Sequence, residues 1–492
     1  MYLINRNNSY HYEMENLIRV FLPDVKILRA EDTSEDEDYC LLEVSDVNRI
    51  KITLSLEGKT YNSQGKFCLG CRPQGESIDS YLERKMAVML FDMLCDITGY
   101  TPPWGILTGV RPAKLMTKLI ASLGEEKAVD YFKKELKVSQ DKTNLALMVS
   151  KNETPIIEGS KPDSYSLYVS VPFCPTRCSY CSFISHSNES AKKLIPEYVE
   201  KLCDEIVQTA KIAKDLNLRL ESVYIGGGTP TVLTASQLKR VTDTLSENFD
   251  LRGISEYTIE AGRPDSIDSD KLDVIRSCGC TRISINPQTF SDSVLKEIGR
   301  NHTSAQTLDA FSKAREKGFD NINMDLIAGL PTDTLISFEK TLDTAISQNP
   351  ENITVHTLAL KRSSTIVTEG RKTNSPTLTS DMLKLVQTKL TEAGYEPYYM
   401  YRQSKSLGNL ENVGWAKKGY EGLYNIYMME ECHTILSVGA GAVIKLKAPH
   451  GSEIERIYNY KYPYEYIGNF QEILNRKQYI SEFYSKFSIQ LG

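Results

Sequence analysis

No stretch of this sequence is long and apolar enough to span a bilayer. The best run, MAVMLFDMLCDITGY (86–100), is short and carries two aspartates, where a membrane helix needs about 20 apolar residues. The first residues, MYLINRNNSYHYEMEN, lack a charged start followed by an apolar segment. No secretory signal is therefore expected, and a cytoplasmic location is. Positive charge is not in excess either: 58 Lys and Arg stand against 64 Asp and Glu, a net charge of −6. That balance lacks the basic footprint of a dedicated nucleic-acid binder. The 11 cysteines are odd in number and mostly scattered singly, which argues against a disulfide framework and leaves reduced thiols, which can hold a metal, as the default. Internal repeats and low-complexity tracts are also missing.

What remains is an ordinary globular composition, 41% hydrophobic and 25% charged over 492 residues. That length predicts two to four domains at roughly 100–200 residues each. From residue 166 onward, strand-like runs alternate with helical patterns: SLYVSV (166–171), SVYIGG (222–227), YTIEA (257–261), RISIN (282–286), NINMDLIAG (321–329) and NITVHTLAL (352–360). Such alternation implies parallel strands joined by right-handed crossovers. Periodicity alone leaves open whether they form a doubly wound sheet or a partial barrel. Four segments are expected: an α+β domain over 1–100, a helical connector and linker over 101–164, the alternating core over 165–377, and a smaller C-terminal region over 378–492 packed on that core. Within the second, KNETPIIEGSKPDS (151–164) reads as linker because of its Pro, Gly and Ser.

The chemistry concentrates behind the first strand of the alternation. Cys174, Cys178 and Cys181 fall within eight residues of VSVPFCPTRCSYCSF (169–183). Thiolates prefer zinc or iron–sulfur clusters. A structural zinc would take a fourth ligand, for which His186 is available, and ordinary [4Fe–4S] clusters also take four. Three thiols leave one metal position open, as a catalytic site requires. GGGTP (226–230) directly follows the second strand; glycines there let backbone N–H groups approach a ligand closely, or simply make a turn. Glu260 ends the third strand, Gln288 follows the fourth, Asp325 lies in the C-terminal part of the fifth and Ala359 ends the sixth. Residues at these strand ends converge on the ligand face of a parallel α/β fold.

CxxxCxxC after a strand resembles the radical S-adenosylmethionine (SAM) superfamily. The resemblance implies a partial (β/α)6 barrel in which Cys174, Cys178 and Cys181 hold three irons of a [4Fe–4S] cluster, while the fourth iron takes SAM. One electron then cleaves SAM to a 5′-deoxyadenosyl radical. Residues 166–360 look like the oxygen-independent coproporphyrinogen III oxidase group. That likeness implies that Tyr168, the loop Gly226–Thr231 with Gly227, Gly228 and Thr229, Glu260, Gln288, Arg300, Asp325 and Ala359 bind one or two molecules of SAM. Beyond the core, WGILTGVRPAKL (104–115), IEAGRPD (259–265), GNLENVGWAKKG (408–419) and LSVGAGAV (436–443) are similar to the HemZ-type branch, which also carries a long N-terminal domain. The implied activity is oxidative decarboxylation of two propionates of coproporphyrinogen III to vinyls. The implied partners are a porphyrinogen or haem-type tetrapyrrole and a low-potential electron donor. The alternative is a haem-binding carrier on the same scaffold. The oxidase pattern has a fourth cysteine where this chain has Phe183, and a histidine where it has Ser170. The haem-chaperone His–Asn pair falls here on Glu411–Asn412, followed by Trp415.

Other signals have plainer readings. Cys68 and Cys71 form a CxxC without visible partners, Cys278 and Cys280 read as core, and His302 reads as structural. His356 lies within strand six and reads as structural, with facing the barrel as the alternative. The tyrosines of YEPYYMYR (395–402) suit either a tetrapyrrole pocket or core packing.

Overall fold

The computed structural model describes residues 1–32, 37–45, 48–73, 76–181, 193–403 and 405–487. The backbone divides into two compact units, residues 1–148 with 408–410, and residues 149–407 with 411–492.

In the first unit a five-stranded sheet runs in the order β2-β1-β3-β4-β5. Its strands are β1 (Tyr2–Arg6), β2 (Leu28–Arg29), β3 (Tyr39–Ser45), β4 (Arg49–Leu56) and β5 (Lys59–Lys66). Helices His11–Phe21 and Ile78–Thr98 bury Met14, Leu17, Leu90 and Leu94 in one cluster with Cys40, Leu42, Ile52 and Leu54 of the sheet. The polar strand β5 escapes a search for apolar runs. Its pairing is set by the turn at Glu57 and Gly58, both at positive φ (51° and 74°), the geometry that two-residue hairpins require.

The second unit is built on one 11-stranded sheet, ordered β12-β13-β11-β10-β9-β8-β7-β6-β14-β15-β16. The expected alternation is its centre. β6 (Ser164–Val171), β7 (Arg219–Gly227), β8 (Glu256–Glu260), β9 (Arg282–Ser284), β10 (Ile322–Ala328) and β11 (Asn352–Thr357) are neighbours in chain order and all parallel. Capping boxes at Thr234, Thr303 and Thr334 start three of the intervening helices, each satisfying backbone N–H groups that the helix start leaves open.

Two features differ from expectation. The C-terminal residues do not only pack on the core; they extend its sheet at both edges. β12 (Glu396–Arg402) and β13 (Glu411–Ala416) add antiparallel strands beyond β11. β14 (Thr434–Val438) pairs parallel with β6 and leads to β15 (Val443–Lys447) and β16 (Ile454–Tyr458). Residues 151–159, expected as linker, continue the helix Gln140–Gly159 through Pro155. Ile156 and Ile157 pack against the cluster of Tyr398, Tyr399, Ala416 and Ile426, and burial of that apolar face outweighs the local proline signal. Among the described residues no helix is long and apolar enough to cross a membrane.

Candidate functional site

Most of the residues singled out from the sequence lie near or just beyond the C-terminal ends of β6–β11; Asp325, expected in the C-terminal part of its strand, is instead the central residue of β10, and Arg300 follows the helix Asp292–Glu297. The three-cysteine segment leaves β6 at Val171 and is pinned from three sides. Gly228 N–H donates to Val171 O (2.8 Å) and Thr229 N–H to Phe173 O (2.7 Å) from the glycine loop. Ser179 N–H donates to Ile298 O (2.9 Å), and Ile366 N–H donates to Ser179 O (3.0 Å). Cys178 is buried, and Cys174 and Cys181 are half-buried. Thr229 Oγ1 donates to Cys174 Sγ at 3.4 Å, and Arg263 Nη1 to Cys178 Sγ at 3.8 Å. Ser182, Phe183 and His186 lie outside the described residues. Among the described residues no three His, Cys, Asp or Glu side chains converge on a single-ion position.

The glycine loop is shaped first by its own chain. A Cβ on Gly228 would come within 2.5 Å of Phe173 O, and one on Gly226 within 2.8 Å of Tyr224 Cε1 and 3.0 Å of the Glu260 carboxyl. Gly227 has φ +106°, a region open to glycine. Gly228→Ala therefore forces backbone apart directly beneath Cys174. It is expected to cost about 1–3 kcal/mol, the usual range for overpacking, and to lower iron uptake. Thermal unfolding and iron analysis read the two effects.

Glu260 lies at the end of β8 and accepts a 2.5 Å hydrogen bond from Tyr224 Oη. Burial pushes its carboxyl up to about 7. Asp325 adds to the rise, and the Tyr224 bond opposes it. Tyr224 is one of three stacked rings, with Tyr424 at 4.6 Å and Tyr168 at 6.2 Å between centroids. Asp325 accepts from Asn323 Nδ2 (2.8 Å) and lies 3.8 Å from His356 Nε2. Burial would raise its carboxyl, but His356 and Asn323 together hold it below the usual carboxylate range. His356 thus faces the interior beside Asp325.

Gln288 follows β9 at φ +66° and is stitched to β10 by Gln288 N–H to Asp325 O (2.8 Å) and Ile327 N–H to Gln288 O (3.0 Å). The buried Arg300 donates from Nη1 to Asn286 O (2.7 Å), while its Nε has no hydrogen-bond partner. β11 ends at Thr357, so Ala359 lies two residues beyond the strand, in an isolated antiparallel bridge to Ser406. Cys280 is core, with Sγ against the carbonyls of Tyr257 (3.3 Å) and Arg282 (3.0 Å). Cys68 belongs to the first unit. His302 is buried, and burial first, then the nearby Arg300 and Arg263, pushes its imidazole down to about 4.

Sequence reading did not assign Tyr224, Tyr424 or Arg263 to this site. Strand alternation places Tyr224 on the face of Gly226, a usable signal. Tyr424 and Arg263 arrive through tertiary contacts that no local pattern announces.

The family model for the radical SAM superfamily matches residues 168–345. The oxygen-independent coproporphyrinogen-III oxidase-like protein HemZ of Bacillus subtilis is 32% identical, covering 98% of this chain and 98% of that protein. The chain belongs to the radical SAM superfamily, in its HemZ-type family. The heme chaperone HemW of Bacillus subtilis is also similar, 33% identical over 56% of this chain and 70% of its own. Among solved structures, coproporphyrinogen III oxidase (HemN) from Escherichia coli, described as a radical SAM enzyme, matches with a TM-score of 0.52 and 25% identity. The match covers 66% of this chain and 72% of that one. The fold of the second unit is thus the radical SAM fold, and its cofactors are the [4Fe–4S] cluster and SAM of that superfamily.

Proposed function

We propose that this HemZ-type protein is an oxygen-independent coproporphyrinogen III oxidase-like oxidoreductase of the cytoplasm, acting on a porphyrinogen. Cys174, Cys178 and Cys181 hold the cluster. Tyr168, Gly227, Gly228, Thr229, Glu260, Gln288, Arg300, Asp325 and Ala359 form the SAM site. The donor set carries the first assignment. Of the three thiols on one pinned loop, Cys174 receives a donor from Thr229 and Cys178 one from Arg263, and the buried, cationic Arg300 adjoins Cys178. Cations and N–H donors beside sulfur suit thiolates bound to a cluster rather than neutral thiols. When bound, cluster and SAM supply a 5′-deoxyadenosyl radical from one electron of a low-potential donor.

The chain's own residues position and exclude. The glycine loop closes on the cluster loop, leaving no room for a side chain at residue 228. Glu260 is suited to an amino group or ribose hydroxyl, with Tyr224 orienting its carboxylate. Asp325 stays ionised beside His356.

Accepting hydrogen bonds from the SAM amino group needs ionised Glu260. Affinity is therefore expected to rise about tenfold per pH unit below the carboxyl's value near 7 and to level off above it. Glu260→Gln is expected to bind more weakly with no such slope. Equilibrium titrations of reconstituted protein between pH 5.5 and 7.5 check this; a flat wild-type profile contradicts it. The stability sign is opposite: a raised carboxyl stabilises the folded state below pH 4.5, and that contribution fades as pH climbs through 7.

The similarity to HemW supports a second reading, a haem carrier. Against it stands the pair Glu411–Asn412. Asn412 Oδ1 accepts from Thr357 N–H (2.8 Å) and its Nδ2 donates to Tyr401 O (3.2 Å), while Glu411 is buried opposite Arg402 in the sheet. Neither is a usual haem ligand, a role filled by His, Cys, Met or Tyr. Coproporphyrinogen turnover is compared with haem titration on the same preparation. Vinyl product without stoichiometric haem binding is expected; tight haem binding without vinyl product favours the carrier.

A further inference from the structure

Arg263 stands in the turn after β8, in AGRPD (261–265), and is 3% exposed. Its guanidinium is held rigidly. Nε donates to Asp265 Oδ1 and Nη2 to Asp265 Oδ2, both at 2.9 Å, the two-point geometry that fixes a guanidinium plane. Nη1 and Nη2 also reach Thr176 Oγ1 at 3.0 and 3.1 Å, between Cys174 and Cys178 in sequence. The turn itself is tied to the glycine loop: Ser266 Oγ donates to Arg263 O (2.7 Å) and shares a 2.7 Å hydrogen bond with Thr231 Oγ1. Nη1 also lies 3.5 Å from Thr176 O and 3.8 Å from Cys178 Sγ.

We propose that Arg263 is a positioning residue that raises the reduction potential of the iron–sulfur cluster through its charged N–H···S contact to Cys178, and that Asp265 moderates this effect as its counter-charge. The inference rests on the reading that the three cysteines hold that cluster. Cluster potentials respond to hydrogen bonds on sulfur and to local net charge. Reduction adds one negative charge to the cluster, taken from the external reductant, and a buried cation at this distance favours the charged product. Arg300 also adjoins Cys178 but belongs to the proposed SAM site, whereas Arg263 contacts the thiol, Thr176 of the same loop and its counter-ion Asp265.

Removing the cation and removing its counter-charge shift the potential in opposite directions. Arg263→Gln removes the cation, so the potential moves negative. Asp265→Asn leaves the guanidinium uncompensated, so the potential moves positive. Each is expected to change the ratio of reduced to oxidised cluster at fixed potential by about tenfold, equivalent to about 59 mV for one electron. Arg263→Lys keeps the charge and restores most of the loss. A merely structural clasp predicts that loosening it from either side acts alike.

The experiment is mediated redox titration of the reconstituted full-length protein, followed by the paramagnetic signal of the reduced cluster, with iron and sulfide measured on every sample. Wild-type protein that takes up no cluster overturns both this inference and the functional reading. Loaded wild type with variant potentials that are unmoved, or that move in the same direction, overturns this inference alone. Should Arg263→Gln load poorly, Asp265→Asn and Arg263→Lys carry the comparison: a positive shift in the first and a near-wild-type value in the second support it, and any other pair refutes it.

Discussion

Cys178→Ala is expected to abolish reductive cleavage of SAM while leaving the fold intact. Loss of a group that hydrogen-bonds a metal ligand costs about 10–100-fold in metal affinity or activity, and loss of the ligand itself is expected to exceed that range. Cys178 is the buried member of the three, the one approached by Arg263 and next to the backbone anchor from Ser179 to Ile298. Removing its sulfur leaves two thiols and a surplus of buried positive charge. Iron content, visible absorption of the cluster and 5′-deoxyadenosine formation are expected to fall together, while far-ultraviolet circular dichroism stays unchanged. Undiminished SAM cleavage in this variant would remove the basis for assigning the loop to a cluster.

Glu205→Ala is the substitution expected to cost most stability. Glu205 is fully buried in the helix Ile195–Asp215, and its carboxylate is completely used. Oε2 accepts from Gly439 N–H (2.7 Å) and Tyr466 Oη (2.6 Å). Oε1 accepts from Asn459 Nδ2 (2.8 Å) and Lys477 Nζ (3.0 Å). Lys477 is itself 1% exposed. Removing one partner of a buried pair leaves the other charge without compensation, at about 3–5 kcal/mol. A double replacement with apolar residues of similar volume is expected to recover the part due to the stranded ammonium and not the rest, because Gly439 N–H, Tyr466 Oη and Asn459 Nδ2 still lose their acceptor. Denaturant unfolding of the single and double variants distinguishes these outcomes; equal losses would mean that packing around the site, and not the ammonium, dominates.

The consequence reaches the site. Gly439 sits at φ +95° where a Cβ would lie 2.5 Å from Ser170 O. Ser170 Oγ donates to Ala440 O (2.8 Å), and Tyr198 Oη bridges Ser170 O and Ala440 N–H at 2.9 Å each. Glu205 thus braces the segment that supports the end of β6, four residues before Cys174. Ser170 thus ties β6 to the segment between β14 and β15.

The parallel core was legible because its strands are mostly buried apolar runs bounded by helical periodicity, with the polar residues Glu260, Gln288 and Asp325 standing in or just after successive strands. The boundary of β11 was less so, since Ala359 continues as a bridge after the strand has ended. The helix through Pro155 and the sheet extensions β12–β16 were not legible. Their formation depends on distant partners: Ile156 on Tyr398 and Tyr399, and β14 on β6. The same holds for Arg263 and Glu205. Each is an unremarkable charged residue in sequence, and its role arises only when a segment 85 or 234 residues away is folded against it.

Anaerobic reconstitution tests the central claim most directly. Cluster-loaded protein is given SAM, a strong reductant and coproporphyrinogen III, and 5′-deoxyadenosine and porphyrin products are quantified with and without the porphyrinogen. Substrate-dependent 5′-deoxyadenosine accompanied by vinyl product is the predicted result. A loaded cluster that cleaves no SAM, or cleaves it without any response to the porphyrinogen, would contradict it.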